Sequence, residues 1–138
     1  MTLSLVTART VWPLTLNEIK EHLRLDSSNG EPAPTVITVA LSSVAGLVTA
    51  GVHRYRCTFV TADGETDGGA ISAAVTTIIA TAGKVTISGV PLGGSAVTQR
   101  KIYRTTADTA TYLLQQTIAD NTTTTGVLDN TADADLGA

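Results

Sequence analysis

Residues 99–118, QRKIYRTTADTATYLLQQTI, decide how this chain is read. They read as two strands, 100–105 and 111–118, joined by a polar turn at Thr106, Ala107, Asp108 and Thr109. Tyrosine, isoleucine and leucine on both sides of the turn suit a pleated, half-buried surface, and Ala-Asp-Thr supplies the polar tip. The stretch holds no titratable pair, metal-ligand cluster or phosphate loop. It is a scaffold hairpin at the centre of the fold rather than a reaction centre.

Outward from the hairpin the chain is strand after strand. Residues 52–61 alternate, with Tyr55, Cys57 and Phe59 on one face and Arg54, Arg56 and Thr58 on the other. Residues 35–41 are β-branched and extended, and the small, flexible residues 42–51 turn the chain between these two strands. Asp63-Gly64 marks a turn, from which residues 70–79 return antiparallel. Residues 84–90 place Val85 and Ile87 opposite Lys84, Thr86 and Ser88, and residues 121–129 form a threonine-rich last strand. Short strands with Gly, Pro and Asp-Gly turns indicate an antiparallel sandwich of about seven strands. With no Cys…Trp…Cys pattern, a fibronectin-type or related sandwich is expected rather than an antibody-type domain.

Composition agrees. The 138 residues make one domain, or one domain with an appendage, and only 4% are aromatic, so the core is built from Val, Ile, Leu and Ala. Abundant threonine and valine favour extended structure over helix. The net charge of −3 excludes the basic face of a nucleic-acid binder, and Arg54, Arg56, Arg100 and Arg104 read as solvent-facing strand residues. The single Cys57 excludes an internal disulfide framework and reads as a small core residue. The N-terminal residues hold no apolar run long enough for a signal peptide or membrane span, so a cytosolic site of synthesis and folding is expected.

Residues 1–12 lean to β structure, either as an arm adding to another chain or as a first strand of the domain. One convincing helix follows. Thr15 and Glu18 form a T-x-x-E capping box, and Leu14 and Ile19 have the spacing of a hydrophobic staple. Leu16, Ile19 and Leu23 share one face, with Glu18, Lys20, Glu21, His22 and Arg24 covering the rest, and residues 26–30 end the helix with strong breakers. A helix of about ten residues is unstable in water without a surface to dock on. That surface is its own β domain or a neighbouring subunit, and the breaker-rich segment that gives the helix reach favours the neighbour. The boundaries expected are therefore 1–26 for arm and docking helix, 27–34 for a linker and 35–138 for the sandwich.

No catalytic constellation emerges. His53 could pair with Asp63 or Glu65 but reads as a surface strand residue. The acidic groups Asp63, Glu65, Asp67 and Asp129, Asp133, Asp135 lack the spacing of a calcium loop. Asn121-Thr122-Thr123 fits the glycosylation triplet by composition alone, and no Gly-rich loop precedes a helix. No catalytic residue, metal ligand or cofactor is expected.

Residues 3–26, LSLVTARTVWPLTLNEIKEHLRLD, resemble the opening of the head–tail connector (adaptor) proteins of long-tailed bacteriophages. The likeness runs through Leu5-Val6-Thr7, Pro13-Leu14-Thr15-Leu16 and residues 20–26. In that family the phrase leads into a further helical bundle, whereas this chain turns to β structure at Ser27. Residues 55–137 resemble the Ig-like or fibronectin-like modules of phage virion proteins, chiefly in residues 55–69, 89–125 and 129–137.

The resemblance implies a non-enzymatic virion structural protein, assembled in the host cytoplasm. The expected role is a neck or head–tail connector component. The expected partners are portal, connector, capsid or tail subunits and further copies of itself, without nucleic acid or membrane. Trp12, Leu14, Leu16, Ile19 and Leu23 are the expected docking residues. A capsid or tail decoration protein and a host-surface glycan-binding module are the alternatives.

Overall fold

The computed structural model describes residues 30–137, so the expected arm and helix lie outside the described residues. The rest is mainly β. The elements are β1 (Thr38–Ser42), β2 (Gly51–His53), β3 (Tyr55–Thr61), β4 (Gly64–Glu65), β5 (Val75–Thr77), a single helical turn (Ile79–Ala82), β6 (Lys84–Ser88), β7 (Gln99–Thr105), β8 (Tyr112–Ile118), β9 (Val127–Asp129) and a 3-10 turn (Asp133–Asp135).

All the ladders are antiparallel. One sheet has the order β4-β3-β7-β8, a second β1-β6-β9, and β2 pairs with β5. Inward residues of the first two sheets join in one core: Tyr55, Cys57, Ile102 and Ile118 meet Val85, Ile87 and Val127, with Ile37, Val75 and Val90 at the margins. Two antiparallel sheets sharing one apolar interior make the expected sandwich.

The opening hairpin holds its place at the centre, with β7 between β3 and β8. Its turn carries Asp108 in the left-handed region (φ 57°), a conformation that a short polar side chain tolerates. The turn is stapled to β2: the Asp108 N–H donates to the Val52 carbonyl (3.0 Å), and the Val52 N–H donates to Asp108 Oδ1 (3.0 Å). A register shift between Ile102 and Tyr103 bulges β8, so Ile102 faces Gln116 while Tyr103 faces Leu114.

Residues 64–77 run back along residues 51–61, but not as the continuous strand read for residues 70–79. Between β4 and β5 the ladder is kept by Thr66, Gly69 and Ser72 N–H groups donating to the carbonyls of Phe59, Cys57 and Tyr55. The Thr66 and Ser72 hydroxyls accept from the Phe59 and Tyr55 N–H groups, each at 3.0 Å, where ladder carbonyls would otherwise stand. Residues 121–126 likewise form a turn, not strand. Asp120 accepts there from the N–H groups of Thr122 and Thr123, so these threonines cap a loop before β9 begins.

The sandwich has two ends. At one, Glu31 Oε1 accepts from the Gly94 N–H (2.8 Å) and the Pro34 carbonyl accepts from Ala70 (3.3 Å), so the chain enters beside the β6–β7 loop. At the other lie residues 43–50, residues 78–83 and the β7–β8 turn.

Candidate functional site

The expected docking residues Trp12, Leu14, Leu16, Ile19 and Leu23 lie outside the described residues. Within the sandwich the chemistry gathers on β7, whose two faces carry different polar sets.

The inward set overturns the solvent-facing reading of Arg100 and Arg104. Both side chains are fully buried. Arg104 Nη1 donates to Asp129 Oδ2 (2.6 Å) and the Thr131 carbonyl (2.9 Å), and its Nη2 donates to Asp133 Oδ1 (2.7 Å). The Tyr55 hydroxyl donates to the same Asp129 oxygen (2.8 Å), and the Thr131 N–H closes on Asp129 Oδ1 (3.0 Å). Asp133 Oδ2 accepts from the Ala107 N–H (2.7 Å), and its own N–H donates to Thr49 Oγ1 (3.0 Å). Buried charge survives because each residue is paired and hydrogen-bonded, with the Arg104 Nε alone in this group buried without a partner among the described residues. The hairpin therefore does hold ion pairs, made by Arg104 with Asp129 at the end of β9 and with Asp133 just beyond it. Burial, then the Asp129 carboxylate, raises the Tyr55 hydroxyl far above the usual phenol range.

Arg100 is answered more openly. Its Nε and Nη2 donate to the carbonyl and carboxylate of Asp120 (3.0 and 2.8 Å), and its Nη1 to the Pro91 carbonyl (3.1 Å). Asp120 sits at the surface, with 41% of its side chain exposed. The Thr123 and Thr122 N–H groups, then the Thr123 hydroxyl, hold its carboxyl well below the usual range, with Arg100 the lesser influence.

On the outward face Glu65 is the hub. Thr58 Oγ1 and the Tyr103 hydroxyl donate to its Oε1 (2.6 and 2.7 Å), and Lys101 Nζ to its Oε2 (2.6 Å). Burial alone would raise the Glu65 carboxyl, but hydrogen bonds from Lys101, Thr58 and Tyr103 together bring it below its usual value. Burial and then the bond to Glu65 push Tyr103 up to about 12. Beside this hub, Arg56 lies over the Tyr112 ring, 4.3 Å from its centroid.

The remaining candidates are also engaged. His53 is buried rather than on the surface: its Nδ1 lies 2.8 Å from the Thr105 carbonyl oxygen and its Nε2 2.7 Å from that of Thr49. With a carbonyl facing each ring nitrogen, no lone pair is left aimed at a substrate. Cys57 is the core residue expected, and burial pushes its thiol up to about 11, away from nucleophilic thiolate at neutral pH. Asn121 of the glycosylation triplet is a loop clamp. Its Nδ2 donates to the Gly93 and Gly94 carbonyls, and its Oδ1 accepts from the Gly93 N–H. Among the described residues no group of three or more His, Cys, Asp or Glu side chains could hold a metal ion.

The buried arginines escaped sequence reading because their partners come from far along the chain: Asp120, Asp129 and Asp133 stand 20, 25 and 29 residues away from them. One signal was present. Arg100, Ile102 and Arg104 share one strand face, and Ile102 assigns that face to the core. Comparison with protein-family models, curated proteins and solved structures returns no match.

Proposed function

We propose that this chain is a non-enzymatic structural protein of a bacteriophage virion, a neck or head–tail connector component that docks through its N-terminal arm and helix. The observation that carries this reading is the likeness of residues 3–26 to the connector opening, set before a β-sandwich. The chemistry of the sandwich supports it: His53, Cys57 and the carboxylates of β7's partners are tied into the fold rather than aimed at a cleft. Such a protein acts by shape and repeated weak contacts, and symmetric assembly multiplies a weak helix contact. The test is incorporation. Full-length protein carrying Leu16→Asp with Ile19→Asp is expected to be lost from assembled particles while remaining folded, and normal copy number in particles would refute the reading.

A second reading, a host-surface glycan-binding module, draws on the outward face of the four-stranded sheet. Tyr103 and Tyr112 are half-buried there, and Arg56 lies over the Tyr112 ring. Sugar-binding sites use such aromatic platforms. Glycan binding by the wild-type protein that Tyr112→Ala abolishes would favour this reading over docking.

A further inference from the structure

The far end of the sandwich, opposite the point where the chain enters, is built as a rigid apolar platform. Two loops are zipped together there: the Gly46 N–H donates to the Ile79 carbonyl (3.1 Å), Gly83 N–H to Val44 (3.0 Å) and Val48 N–H to Gly83 (3.0 Å). The backbones approach so closely that a Cβ on Gly46 would collide with the Gly83 carbonyl, and one on Gly83 would lie 2.6 Å from the Gly46 nitrogen. Val48 is fully buried beneath, and the Leu47 N–H is tied to Asn130 Oδ1 (2.9 Å).

On this fixed base Val44, Leu47, Ile78 and Ile79 are 53, 59, 56 and 48% exposed. Neither residues 43–50 nor residues 78–83 include a charged side chain. Together the four present apolar surface on the order of 300 Å², a patch size that on single chains is often functional. Half-exposed aliphatics held by tight loops cannot fold away, so the platform is prepared for an occupant.

We infer that this platform seats the apolar stripe of residues 12–23 of a second copy of the chain, so that copies join head to tail. The inference rests on the docking reading above and names the surface that receives the segment. Three observations select the occupant. The described chain begins at Gly30, at the opposite end, beside the Glu31–Gly94 contact. β3 alone spans about 23 Å, and the residues between Leu23 and Gly30 reach at most about 24 Å fully extended. The segment would use nearly all of that length in reaching its own far end, whereas a copy stacked end-on brings the platform to the point of exit. Chemistry matches as well: in the helix expected there, Leu16, Ile19 and Leu23 would offer the aliphatic stripe, and Glu18, Lys20, Glu21 and Arg24 would stay on the solvent side. A head-to-tail contact uses two different patches, so it propagates or closes into a ring.

Sedimentation of full-length variants tests this. Wild type is expected to associate with rising concentration. Leu47→Asp with Ile79→Asp, or separately Leu16→Asp with Ile19→Asp, weakens association about tenfold or more. Mixing the two variants restores one intact contact, so they form a 1:1 dimer and nothing larger. If the aspartates unfold the platform variant, Leu47→Ser with Ile79→Ser replaces it, with the same expectation. Association of the platform variant at wild-type strength, a mixture that stays monomeric, or wild type monomeric throughout overturns the inference. A monomeric wild type whose Leu16→Asp/Ile19→Asp variant is still lost from particles refutes only the head-to-tail seat. Normal particle incorporation of that variant refutes docking itself.

Discussion

Arg100 and Arg104 stand four residues apart on the same face of β7, and both are fully buried, yet they are stabilised in different ways. Arg104 is closed in by two carboxylates, one of them also fully buried, and by the Tyr55 hydroxyl that shares it. Arg100 leans on two backbone carbonyls and on a carboxylate half out in water. The difference follows the two ends of the sandwich. At the Arg104 end the C-terminal tail crosses inward and completes the interior with charge, while aliphatic side chains occupy the outside of the loops. At the Arg100 end the countercharge comes from a surface turn, beside the Glu31–Gly94 contact where the described chain begins. At the Arg104 end a buried ion-pair network lies within the fold while aliphatics stand outside it, the reverse of the usual distribution, and the proposed seat for a second copy starts from that inversion.

The contrast can be broken most severely at the closed end. Asp129→Ala leaves Arg104 buried without its nearest partner, and a loss of about 3–5 kcal/mol in urea-measured stability is expected. A loss below about 1 kcal/mol would mean the network is open to water.

At the open end the effect is smaller and is read from pH. Asp120 is held below its ordinary value of 3.8, so its contribution is complete above that value and fades as pH falls through the lower, folded value. Asp120→Asn should therefore be less stable than wild type at neutral pH, by less than Asp129→Ala, and the gap should narrow with acidification below about pH 4. A gap that stays constant with pH would contradict the role given to Asp120.

The outward pair gives the smallest effect. Lys101 and Glu65 are each more than a quarter exposed, so Lys101→Ala should cost no more than about 1 kcal/mol and lose its effect in high salt. A larger, salt-independent loss would place this pair with Arg104 rather than at the surface.

How much of this was legible followed from range. The 99–118 hairpin, the Tyr55/Cys57/Phe59 face and the Asp63-Gly64 turn rest on neighbours within a few residues, and the structure has them where expected. The burial of Arg100 and Arg104 depends on carboxylates 20 or more residues away, and that of His53 on the Thr105 carbonyl 52 residues away, and an arginine's charge reads as solvent until such a partner is known. Residues 70–74 and 121–126 look β-forming by composition. Thr123 instead spends its side chain on a local hydrogen bond to Asp120, and the Ser72 hydroxyl takes the place of a ladder carbonyl opposite the Tyr55 N–H. The exposed platform was hidden for the opposite reason. Val44, Leu47, Ile78 and Ile79 read as ordinary aliphatics, and only the Gly46–Gly83 contact reveals that they are held outward.

The most direct test of the account is hydrogen–deuterium exchange of the full-length wild-type protein across a dilution series. The account predicts that residues 44–48 and 78–83, together with residues 12–23, become more protected as concentration rises, while β7 stays equally protected throughout. Protection of the two loops that does not change with concentration, or concentration-dependent protection confined to the outward face of the four-stranded sheet, would contradict it.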